Sequence, residues 1–120
     1  MGFNWERFID VAEHLRKFSK REEYQRTAVG RYYYACFLEA RDYYKLKTKK
    51  NLGRFSAHTR LFEYFQDSDN SIEKNIGEKL EELHNMRKNA DYDAEFNKKH
   101  KLNSKKVAKE ILDNLKILKE

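Results

Sequence analysis

The stretch "YYYACFL", residues 32–38, is apolar or aromatic at every position. A helix that carries such a run presents apolar surface in all directions and must be packed on several sides. The run lies inside a longer helical segment. Ser19 followed by Glu22 reads as a capping box at its start, and helical spacing continues to about Leu46. Four further segments show apolar residues at helical intervals. The first starts near Asn4 as N-cap and sets Trp5, Phe8, Ile9, Ala12 and Leu15 on one face. Ser56 opens a short helix through Gln66 with Leu61, Phe62 and Phe65, and Ser71 caps a fourth helix with Ile72, Ile76, Leu80 and Leu83. Ser104 caps the last, which aligns Val107, Ala108, Ile111, Leu115 and Leu118. No segment alternates as a strand does. The reading is an all-α bundle of about five helices in one domain, residues 1–120.

Composition narrows the class. Charged residues (38%) nearly equal apolar ones (39%), so the core must be economical, and the aromatic residues supply much of it. Proline is absent, which permits long uninterrupted helices. A lone cysteine, Cys36, excludes an intrachain disulfide framework and a multi-cysteine zinc site, and its place in the apolar run predicts an inert buried thiol. No apolar run reaches membrane-spanning length and no signal-peptide core leads the chain, so a soluble cytoplasmic protein is expected. The net charge of +6 favours an anionic partner.

The fourth helix breaks its own pattern. After Leu80 and Leu83, the next stripe position in "MRKNADYD" (86–93) holds Arg87, and Ala90 resumes the stripe. Arg87 and Asp91 are four apart, an ion pair of about 0.2–0.5 kcal/mol on a helix surface. Such a pair does not explain an arginine on the core stripe. A snorkelling side chain does, and so does a functional guanidinium. His84 lies one turn earlier on nearly the same face, and Asn89, Asp91 and Tyr92 follow closely. Phosphodiester chemistry uses such a pair, the guanidinium to hold phosphate and the imidazole to move a proton. His58, early in the third helix, fits either a packing role or a place in the same site. No His/Asp/Glu spacing marks a metal centre, no glycine-rich phosphate loop exists, and no cofactor is expected. Two acid-free runs flank connectors: Lys47, Lys49, Lys50, Arg54 and Arg60 in the first, and Lys98, Lys99 and Lys101 in the second. They read either as solvated surface or as phosphate contacts for a nucleic acid.

Two segments together resemble a known family. "GRYYYACFLEARDYY" (30–44) is similar to the long second helix of small stand-alone HEPN proteins (higher eukaryotes and prokaryotes nucleotide-binding). "LHNMRKNADYD" (83–93) is similar to their late-helix signature, and His58 falls where many members carry a histidine. The resemblance implies an antiparallel helical bundle that forms a homodimer and binds RNA. Many members act as metal-independent endoribonucleases, toxins or defence components. It further implies phosphate-holding by Arg87, with Asp91, Tyr92, Asn89, His58 and His84 as candidates for proton transfer or positioning. The chain departs from the usual spacing of arginine, four to six residues, then histidine: Tyr92 stands five after Arg87, Asp93 six after, and the next histidine is His100. The alternative reading is therefore a catalytically inactive interaction module that partners a minimal nucleotidyltransferase antitoxin. The aromatic run Tyr32, Tyr33, Tyr34, Phe37, Tyr43 and Tyr44 exceeds what a small bundle needs, and part of it is expected in a two-fold interface.

Overall fold

A computed structural model describes residues 2–120. Five helices follow in order: α1 (Arg7–Phe18), α2 (Glu22–Thr48), α3 (Ala57–Gln66), α4 (Ser71–Tyr92) and α5 (His100–Lys119). No strand occurs among the described residues. The protein is an all-α helical bundle, as the periodicity predicts.

α2 is the central element, with the other four helices packed around it. That is why its sequence is apolar nearly all round. Tyr32, Tyr33 and Cys36 are fully buried, and Phe37 and Tyr43 are 6% and 5% exposed. Of the six rings expected to exceed the needs of the bundle, four fill its core, and Tyr34 and Tyr44 keep partial exposure. The buried Cys36 thiol has its pKa pushed well up by desolvation, and its Sγ donates to the Ala108 carbonyl at 3.5 Å. Burial and the raised pKa both disfavour the reactive thiolate.

Contacts fix the directions. Gln25 of α2 reaches the Arg16 and Ser19 carbonyls while the Trp5 backbone N–H meets Glu39, so α1 runs opposite to α2. Tyr43 meets Glu73 and Arg26 meets Ala90, so α4 also runs opposite to α2. α3, however, runs broadly with α2, because Tyr33 meets His58 and Tyr43 stacks on Phe65. The connector 49–56 must then travel back along the bundle. Lys49 closes α2 in the left-handed conformation (φ 61°), Gly53 adopts φ 84°, and Leu52, 4% exposed, anchors the return in the core. α3 and α4 approach very closely at Gly77. A Cβ there would lie 2.7 Å from the Gln66 backbone nitrogen, so only glycine fits.

Several helix starts differ from the expected ones. Asn4 lies outside α1, although its side chain accepts from the Glu6 N–H at 3.0 Å. Ser19 accepts from Arg21 N–H at 3.1 Å, and no capping box forms, because α2 begins only at Glu22 after Arg21. Asn70 caps α4 in place of Ser71, accepting from Ile72 and Glu73 at 2.9 and 3.0 Å. The largest difference is at α5, which starts four residues before Ser104. Ser104 is fully buried within the helix, and Asn97 accepts from Lys99 N–H at 3.0 Å ahead of it. Ser104 is a small residue on the buried stripe, three before Val107, and its hydroxyl turns back on the Lys101 carbonyl.

Candidate functional site

Three helices converge on one face. Tyr33, Tyr34 and Phe37 come from α2, His58 from the first turn of α3, and His84, Arg87 and Asp91 from α4. The parallel course of α3 sets His58 beside His84, at a centroid distance of 5.0 Å with planes 21° apart. Phe37 covers the other side of His58 at 4.3 Å, and Phe62 and Tyr33 flank His84 at 5.3 and 5.2 Å. The buried Tyr33 hydroxyl is hydrogen-bonded to His58 Nδ1. His58 Nε2, both nitrogens of His84 and the Tyr34 hydroxyl have no hydrogen-bond partner among the described residues. None of them is a buried orphan, so each reaches the surface.

Arg87 lies against this group. Its guanidinium sits over the Tyr34 ring at 5.0 Å and near the Tyr92 ring at 5.8 Å. Nε donates to Asp91 Oδ2 at 2.8 Å, and the two terminal amino groups carry no partner among the described residues. The side chain is 16% exposed, so the stem is packed while the fork remains available. Both the ion pair and the snorkelled stem expected from sequence are present. A Cβ on Gly30 of α2 would lie 4.0 Å from Asp91 Oδ1, an ordinary contact, so the approach of Asp91 does not depend on glycine there.

Electrostatics keep both imidazoles neutral near pH 7. Burial lowers the pKa of His58, and the Arg87 charge adds to this. His84 is lowered to about 4, first by burial and then by His58, Lys88 and Arg87, with Glu81 opposing. For Arg87 burial works against the charge, but Tyr34 and Asp91 outweigh it and the pKa rises. Each histidine thus binds fewer protons folded than unfolded. Their contribution to stability is complete above the ordinary imidazole value of 6.5 and is lost as pH falls through the folded pKa, about 4 for His84. The urea midpoint should hold steady above about pH 7 and fall between about 6.5 and 4. Comparison with His84→Asn isolates the effect from the carboxylates, and the variant should lose the larger part of that slope.

The other expected residues are distributed differently. Asn89 faces away from Arg87. Its amide donates to Asp93 Oδ2 and the Glu95 carbonyl at 3.0 Å each, and its oxygen accepts from Asn97 N–H, so it shapes the α4–α5 connector. Tyr92 is 72% exposed beside Arg87. Arg60 folds back on its own connector, donating to the Phe55 carbonyl at 3.1 Å, while Arg54 stays exposed. The two lysine runs do not merge into one patch. Arg26 holds the start of the 93–99 connector, and Lys47 lies 21 residues further along α2, about 30 Å away at 1.5 Å per residue. Lys47, Lys49 and Lys50 therefore sit at one end of the bundle, and Lys98, Lys99 and Lys101 at the other.

Sequence reasoning missed Tyr33, Tyr34 and Arg26. Tyr33 and Tyr34 were hidden in an apolar run that reads as core. Arg26 pairs with Glu22 at helical spacing, which looks like a surface bridge. Its guanidinium in fact closes the C-terminus of α4, donating to the carbonyls of Ala90 (3.0 Å), Asp93 (2.6 Å) and Ala94 (2.8 Å), with Phe96 at 5.3 Å.

A separate cleft of about 400 Å³ opens between α1 and α5 over Tyr32 and shares none of these residues. Ion pairs Lys105–Glu13 (3.3 Å) and Lys116–Glu6 (3.4 Å) cross it, and the Tyr32 hydroxyl donates to Glu13 at 2.7 Å. No group of three metal-ligating side chains occurs among the described residues.

No protein family and no solved structure matches the chain. It is similar to an uncharacterised protein of Methanocaldococcus jannaschii, 34% identical over 110 residues that cover 78% of this chain. The chain spans 62% of that relative's length. No described helix is long and apolar enough to cross a membrane.

Proposed function

We propose that this face binds RNA and cleaves it without metal, in a HEPN-type homodimer. The observation that carries the reading is the unpartnered fork of Arg87 beside two neutral imidazoles that reach solvent. A guanidinium with both terminal amino groups free matches two phosphate oxygens. The ribose 2′-oxygen attacks the adjacent phosphorus and the bond to O5′ breaks. The products are a 2′,3′-cyclic phosphate and a 5′-hydroxyl. A neutral imidazole takes the 2′-hydroxyl proton, which returns to the leaving O5′, so no cofactor is consumed. Arg87 stabilises the extra negative charge on the phosphorane. Two copies of Arg87 across a two-fold axis would repel unless the RNA phosphate or Asp91 lay between them. The test is RNA incubated with purified protein in EDTA. Cleavage products ending in 2′,3′-cyclic phosphate support the reading. Cleavage that disappears with EDTA, or RNA left both unbound and intact, overturns it.

A second reading rests on Tyr92, whose ring is exposed where a histidine would stand in the usual spacing. It is an inactive module docked on a nucleotidyltransferase partner. RNA bound but never cut, together with a nucleotidyltransferase reading frame adjacent to this one, supports that version.

A further inference from the structure

The two imidazoles of the cluster are chemically unequal, and Tyr33 is the reason. Its side chain has no exposure, and its hydroxyl has one partner, His58 Nδ1. A buried hydroxyl hydrogen must be donated, and among the described residues the one acceptor bonded to it is that ring nitrogen. The opposite arrangement, with Nδ1–H donating to the phenol oxygen, would leave the buried hydroxyl hydrogen without an acceptor, with Phe37 and His84 as the neighbouring rings. We propose that Tyr33 is a positioning residue that locks neutral His58 in its Nε2–H tautomer, so that His58 offers a hydrogen-bond donor to an anionic ligand and the role of proton acceptor falls to His84.

Geometry supports the division. His58 Nε2 is the ring nitrogen that reaches the surface, and Arg87 lies close enough for its charge to act on this imidazole. Guanidinium and Nε2–H then form one set of donors for phosphate oxygens. His84 has no phenol bonded to it, and both of its nitrogens stay open to solvent. The charged and titratable groups around the pair come from all three elements: Tyr33 and Tyr34 on α2, His58 itself on α3, and Glu81, His84, Arg87 and Lys88 on α4. Burial holds the Tyr33 phenol far above its ordinary pKa, so it remains a donor throughout. The inference rests on the RNA reading for the identity of the anion, but the tautomer itself does not depend on RNA.

The experiment is long-range proton–nitrogen correlation on the nitrogen-15 protein near pH 7.5. Wild type should show His58 Nδ1 without hydrogen and Nε2 with one. In Tyr33→Phe the two nitrogen shifts of His58 should move toward each other as both tautomers populate, while His84 changes little. Addition of a 2′-O-methylated oligoribonucleotide, which binds but cannot be cleaved, should shift the His58 Nε2–H signal in wild type. With cleavable RNA, Tyr33→Phe should raise KM severalfold with little change in kcat, whereas His84→Asn should lower kcat. A protonated Nδ1 in wild-type protein overturns the inference and leaves the RNA reading standing. The expected tautomer with no response to the oligoribonucleotide overturns the donor role. The wild-type spectrum decides the tautomer even where Tyr33→Phe does not fold.

Discussion

Arg87→Ala should lower RNA cleavage by about 10²–10³-fold, the usual loss when one preorganised charge-stabilising donor is removed. RNA binding should weaken as well, by roughly the 1.5–3 kcal/mol that a hydrogen bond to a charged group supplies. The fold should survive. The Arg87–Asp91 pair has the weaker orientation on a helix, worth about 0.2–0.5 kcal/mol, and the stem that covers Tyr34 adds a modest packing loss. Arg87→Lys separates charge from shape: it keeps a cation but not the fork, so it should recover binding at low salt more than it recovers cleavage. Electrophoretic mobility shift and single-turnover cleavage, each in EDTA, read both quantities. Unchanged cleavage by Arg87→Ala would remove the guanidinium from the reaction.

Arg26→Ala should be among the costliest single changes outside the apolar core, at about 2–3 kcal/mol. Three carbonyls at the end of α4 and in the following turn lose a cationic donor, and the helix loses a favourable charge at its C-terminus, worth about 0.3–1 kcal/mol. The contact with Phe96 goes too. The Asp93 and Ala94 carbonyls lie at the surface and regain water, which keeps the total below the sum of three buried bonds. Arg26→Lys should recover only part of the loss, because one ammonium cannot reach three acceptors spread over five residues. Urea unfolding measures both, and a change under 0.5 kcal/mol for the alanine variant would show that water replaces the clamp.

The stripes that define the five helices were legible because burial in a bundle imposes a period close to 3.6 on every segment. Helix ends were less legible. Ser104 and Asn97 are both good capping residues, and only the position of the α5 stripe against α2 decides which of them is buried. The anomaly at Arg87 was visible as a break in a regular pattern. His84 and Asp91 followed from helical spacing, but His58 stood only as a candidate, because its stacking on His84 joins residues 26 apart and depends on α3 running with α2. That direction is set by the return of the 49–56 connector, whose one buried residue, Leu52, looks ordinary in sequence. The lysine runs show the same limit from the other side. Each was legible as a basic run, but their separation along α2 is a property of the whole bundle.

The return of that connector also bears on how the molecule opens. α3 is stitched to α4 by the close approach at Gly77 and by Gln66, whose amide donates to the Gly77 carbonyl and to Glu81. It meets α2 through a thinner seam of rings and the Tyr33–His58 bond. In hydrogen exchange, α3 and α4 as far as His84 should therefore lose protection together as one cooperative unit, ahead of the middle of α2. His58 and His84 ride on that unit as a pair, while Tyr33 stays behind on the slowest-exchanging helix. Breathing of the bundle would then part the histidines from their phenol before it parted them from each other.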